Sequence, residues 1–93
     1  MPLPAAPIRL DGWALVLGAS SGFGDAISVA LARAGLHIFG VHLDRKATLP
    51  NAARVAADVR ALGREARFFN VNAADAERRA ETVAAMEATL AER

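Results

Sequence analysis

Leu17-Gly18-Ala19-Ser20-Ser21-Gly22-Phe23-Gly24 places three glycines and two serines between two apolar stretches of different period. Upstream, Trp13-Ala14-Leu15-Val16-Leu17 is an unbroken apolar run. A short run of this kind, bounded by turn residues, predicts a strand buried on both faces, as in a parallel sheet. Leu10-Asp11-Gly12 reads as the turn into it. Downstream, Phe23, Ile27, Ala30, Leu31 and Ala34 recur at helical spacing, and Gly35 supplies the stop. The segment is therefore the turn of a strand–turn–helix unit.

The same alternation continues along the chain. Residues 37–41 form a second apolar run, and residues 42–46 a polar, charged loop. Thr48 can cap a helix that tolerates Pro50 in its first turn, carries Val55, Val59 and Leu62, and stops at Gly63. Residues 66–71 predict a third strand, with Phe68 and Phe69 packing the sheet. Asp75 can cap a last helix carrying Ala80, Val83, Ala84 and Leu90, which runs to the chain end without a stop signal. Residues 1–9, with three prolines, read as a flexible arm. The order β-α-β-α-β-α predicts an α/β fold with right-handed crossovers. It corresponds to the Rossmann-type half of a doubly wound parallel sheet, in three α/β/α layers, over residues 10–93.

The glycine loop has a chemical reading in that context. Gly18 permits the tight turn off the strand. Gly22 and Gly24 lack Cβ atoms, so backbone can approach a pyrophosphate and the helix can pack on the sheet. The helix that starts there presents unpaired N–H groups and a positive dipole end to phosphate. Ser20 and Ser21 can add hydroxyl hydrogen bonds.

The spacing is G-x-x-x-G-x-G, preceded by Leu10-Asp11-Gly12 and the apolar run. Here the chain resembles the short-chain dehydrogenases/reductases (SDRs) over about residues 8–90. The resemblance implies a nicotinamide dinucleotide held by Gly18, Ser20, Ser21, Gly22, Phe23 and Gly24. It also implies contacts from His42, Asp44 and Arg45 after the second strand, and from Asn72 and Ala73 after the third. Leu17 replaces the family's threonine before the first glycine. Asn72 stands where the family's third strand ends in aspartate, with Asn70 the other possible match. His42 aligns with the acid that grips a ribose 2′-hydroxyl, and Asp44, Arg45 and Lys46 follow. The missing acid and the two cations favour NADP, while Asp44 keeps NAD as the alternative.

Composition narrows the rest. The chain has 93 residues, 54% of them hydrophobic, and a formal net charge of +1. That length suits one small domain. No basic tract points to nucleic acid or membrane. There are no cysteines, which excludes thiolate metal sites, and no metal ligand set is assigned. The N-terminal residues lack the charge pattern of a signal peptide, so a soluble, cytoplasmic protein is expected. The family's chemistry uses serine, tyrosine and lysine with hydride transfer to or from nicotinamide. This chain has no tyrosine, and Lys46 is its one lysine, so no catalytic residue is assigned. The resemblance implies an intact oxidoreductase, homo-oligomeric, acting on a small carbonyl/alcohol or enoyl substrate. The 93 residues are expected to stop before the fourth strand, to be inactive alone and only marginally stable. The alternatives are a non-catalytic nucleotide-binding or interaction module and a remnant that folds only with another chain.

Overall fold

The computed structural model describes residues 10–44 and 48–92. Six elements alternate: β1 (Trp13–Leu17), α1 (Gly22–Arg33), β2 (His37–His42), α2 (Leu49–Ala61), β3 (Ala66–Asn70) and α3 (Ala76–Ala91). The strands form one parallel sheet in the order β1-β2-β3. Leu17 pairs with Val41 and His42 with Asn70, so the C-terminal ends of the strands lie level and their loops share one edge.

Strand alternation divides the apolar residues between two faces. On one face Val16, Ile38 and Ala66 pack with Ala32 of α1 and with Ala56 and Val59 of α2. On the other, Phe39 and Val41 meet Met86 of α3, with Trp13, Phe69 and Val71 around them. Trp13 stacks on Phe39 at a ring-centroid distance of 4.1 Å. Phe68 lies on the first face with its ring over Gly40, where a Cβ would come within 2.8 Å of it.

Helix ends follow local chemistry. Asp75 accepts hydrogen bonds from the Glu77 and Arg78 N–H groups and caps α3. Thr48 holds the N-cap position of α2 without a side-chain capping bond, and Pro50 sits in the first turn. Gly35 follows the α1 C-cap at φ 116°, as a helix stop requires.

Four expectations need correction. β1 is not buried on both faces: Leu15 and Leu17 are exposed, because α3 does not extend over them. Leu31 of the expected apolar row of α1 packs against the core, but the row as a whole does not face the sheet. Gly24, Ser28 and Ala32 do, while Phe23 is 86% and Ile27 46% exposed. Only small side chains let this helix approach the strands closely. In α3, Thr82, Met86 and Thr89 are buried, while Val83 and Leu90 are exposed. The two threonine hydroxyls donate to the carbonyls of Arg78 and Ala85, so their burial leaves no unpaired donor. Finally, His42 belongs to β2 and not to a solvated loop. It is 6% exposed.

No helix among the described residues is long and apolar enough to cross a membrane.

Candidate functional site

The turn after β1 is built by backbone contacts. Gly18 has φ 69°, a left-handed conformation that favours glycine. The Gly18 and Ala19 N–H groups donate to the Val41 carbonyl at 2.8 and 3.2 Å, which ties the turn to β2. The Gly18 carbonyl in turn accepts from Ser21 twice, from its N–H at 3.1 Å and its hydroxyl at 2.8 Å. A Cβ on Gly24 would collide with that same carbonyl and come within 2.8 Å of the Ala19 Cα. Gly24 thus lets α1 press against the turn. Gly22 differs: a Cβ there would meet nothing within 4 Å. One glycine closes the turn from inside, and the other leaves its outside open.

The ends of the other strands complete the edge. The Ser20 hydroxyl donates to Asp44 Oδ1 at 2.8 Å. The Asp44 N–H donates to Asn70 Oδ1 at 2.9 Å, and Asn70 Nδ2 donates to the Asp44 carbonyl at 3.1 Å. Asp44 Oδ2 lies 3.7 Å from His42 Nδ1. Neither of those two buried atoms has a hydrogen-bond partner. Burial pushes the His42 imidazole below its ordinary pKa, and the Asp44 charge acts in the opposite direction without cancelling it.

The structure therefore brings together Gly18, Ser20, Ser21, Gly22, Gly24, His42 and Asp44. The two serines were expected to offer hydroxyls to phosphate, but each hydroxyl donates its one proton within the protein. Asn72 and Ala73 are exposed in the turn before α3. Asn72 Oδ1 accepts from the Ala74 N–H at 2.9 Å, and the Ala73 carbonyl accepts from Arg79 at 3.0 Å. Phe23 projects from the first turn of α1 and, among the described residues, is the most exposed of the large apolar side chains. Arg45 and Lys46, on which the NADP expectation turns, lie outside the described residues. Sequence reasoning missed the link from Asn70 to Asp44. Its one available signal was an asparagine closing a strand that lies level with the end of β2.

The short chain dehydrogenase family model matches residues 12–92. The chain belongs to the short-chain dehydrogenase family. Solved structures agree. A protein described as a short-chain alcohol dehydrogenase from Sinorhizobium meliloti 1021 is 33% identical, with a TM-score of 0.65 over 77% of this chain and 27% of its own. A protein described as a dehydrogenase from Burkholderia cenocepacia, with bound NADP, is 29% identical, with a TM-score of 0.63 over 73% of this chain and 26% of its own. Carveol dehydrogenase from Mycobacterium avium, in complex with NAD, shares the fold at 22% identity, with a TM-score of 0.78 over 91% of this chain and 33% of its own. This short-chain dehydrogenase chain thus spans about a quarter to a third of the length of those structures. No match is found among curated proteins.

Proposed function

We propose that this short-chain dehydrogenase chain is the dinucleotide-binding part of an oxidoreductase that moves hydride between NAD(P)H and a small carbonyl/alcohol or enoyl substrate. The carrying observation is the contrast within the glycine loop: closed at Gly24, open at Gly22, at the edge where the strands end. α1 begins at Gly22, so the N–H groups of its first turn and its positive dipole end lie at that opening. These features suit a pyrophosphate. When bound, the nicotinamide would supply or accept the hydride. The chain's own residues bind and orient it: Gly18 shapes the turn, Gly22 leaves room, and Asn72 and Ala73 stand in the turn that follows β3.

Titration with NADPH and NADH, followed by cofactor fluorescence, tests this reading. Gly22→Val is expected to abolish binding, and with nothing within 4 Å of the added Cβ the chain should stay folded, which a thermal melt checks. Unchanged affinity in that variant would show that the loop is not the site. The 93 residues contain no tyrosine, so no turnover is expected from them alone. NADPH oxidation with added carbonyl compounds would overturn that expectation.

Cofactor choice has two readings. Arg45 supports NADP, because a guanidinium forms charge-assisted hydrogen bonds to a 2′-phosphate. The fixed Asp44 carboxylate supports NAD, because a carboxylate accepts from a hydroxyl and repels a phosphate. Comparing the affinities of the two cofactors decides between them.

A further inference from the structure

We propose that Asn70 is a positioning residue for cofactor choice: together with Ser20 it fixes the Asp44 carboxylate so that a ribose 2′-hydroxyl is accepted and a 2′-phosphate refused. The inference rests on the nucleotide-binding reading above and concerns how the site discriminates between cofactors.

The geometry is specific. Both polar ends of the Asn70 amide contact one residue, Asp44, through its N–H at 2.9 Å and its carbonyl at 3.1 Å. A side-chain amide carries the same donor and acceptor as a peptide group. Asn70 therefore continues the β2–β3 pairing past His42, where the Val71 N–H makes the last backbone contact to the His42 carbonyl at 2.8 Å. With its backbone held from β3, Asp44 has its carboxylate held from the opposite side by the Ser20 hydroxyl at 2.8 Å. Three segments are tied at one residue: the end of β3, the end of β2 and the glycine loop.

Charge gives the clasp its selectivity. The Asp44 side chain is 10% exposed, and its ion-pair partner among the described residues is His42, at 3.7 Å and without a hydrogen bond. Burial favours the neutral imidazole, so His42 supplies no countercharge to the carboxylate beside it. A fixed, poorly solvated negative charge beside the loop repels a phosphate more strongly than the same charge on a mobile, hydrated side chain. A hydroxyl meets no such repulsion, and Oδ1, which accepts one proton from Ser20, keeps a second lone pair for it. Asn70 acts through Asp44 and need not touch the cofactor.

The test is the ratio of dissociation constants for NADPH and NADH, measured by fluorescence titration of the 93-residue chain and its variants. Wild type is expected to bind NADH more tightly. Asn70→Ala and Ser20→Ala should each reduce that preference about five- to tenfold, the size of one modest hydrogen bond. Asp44→Asn, which keeps the shape and removes the charge, should reduce it further. Thermal melts identify any variant that fails to fold. Ser20→Ala and Asp44→Asn leave the Asn70 side chain intact, so the clasp is probed from both sides. Equal weakening of both cofactors by Asn70→Ala would overturn the positioning role while leaving the nucleotide site standing, as would a wild-type preference for NADPH. No binding of either cofactor to wild type would overturn the clasp and the nucleotide-binding reading together.

Discussion

The two faces of the sheet are built differently. Under α1 and α2 the contacts use small residues: Gly24, Ser28 and Ala32 on one helix, Ala52, Val55, Ala56 and Val59 on the other. Small side chains let helix and sheet approach closely, and Ile38, Val55 and Val59 are fully enclosed. Under α3 the filling is aromatic, with Trp13, Phe39 and Phe69 around Met86, and it stops short of β1. There Leu15 and Leu17 stay exposed, Leu17 at 67%. Closeness on the first face therefore comes from an absence of side-chain bulk, whereas coverage on the second depends on a few large rings.

The sharpest way to break the first face is at its closest approach. Gly24→Val forces side-chain atoms into the Gly18 carbonyl and the Ala19 Cα, both backbone, which cannot rotate away. The expected loss is at least about 3 kcal/mol, the upper range for overpacking, and it should appear as an unfolded chain by circular dichroism. A native-like melt would show that α1 can lift off the turn. Next in size is the contrast between Ile38→Ala and Met86→Ala. Ile38 is fully buried, whereas Met86 keeps 9% of its surface exposed. Large-to-alanine changes cost about 2–5 kcal/mol. Ile38→Ala is expected near the top of that range and Met86→Ala near the bottom, by urea denaturation. Equal losses would mean that the two faces are equally packed.

The smallest expected effect is the pH dependence set by His42. Its folded pKa is lowered from 6.5, chiefly by burial. As pH falls, the unfolded chain takes up the proton first, so stability declines from about pH 6.5 down to the folded value and then levels off. Above that window His42 adds no penalty. Urea midpoints between about pH 7.5 and 5 should show this decline, and His42→Gln should flatten it. A decline of the same size in the variant would assign it to other groups.

Order and element type were legible in the sequence, because apolar runs, capping residues and glycine stops are local signals. The turn at Gly18, the cap at Asp75 and the stop at Gly35 needed no tertiary information. Facing was less legible. Hydropathy gives most weight to Phe23 and Ile27, yet close packing selected Gly24, Ser28 and Ala32. Thr82 and Thr89 read as polar, but each bonds back into its own helix, a satisfaction that no hydropathy value records. The glycine loop was legible as a candidate site because its residues are contiguous. The Ser20–Asp44–Asn70 arrangement was not, because its members lie 24 and 26 positions apart and meet only through strand register.

Gly40 and Phe68 occupy complementary volumes at the centre of the sheet, one missing a side chain and the other filling the gap. Their substitutions cannot be exchanged in arbitrary order. A side chain added at position 40 meets the ring at once, whereas trimming position 68 first leaves a cavity that the addition can then occupy. A route from this glycine–phenylalanine pair to, for example, an alanine–leucine pair thus has a preferred direction, written into the barrier between the two sequences and not into the stability of either end.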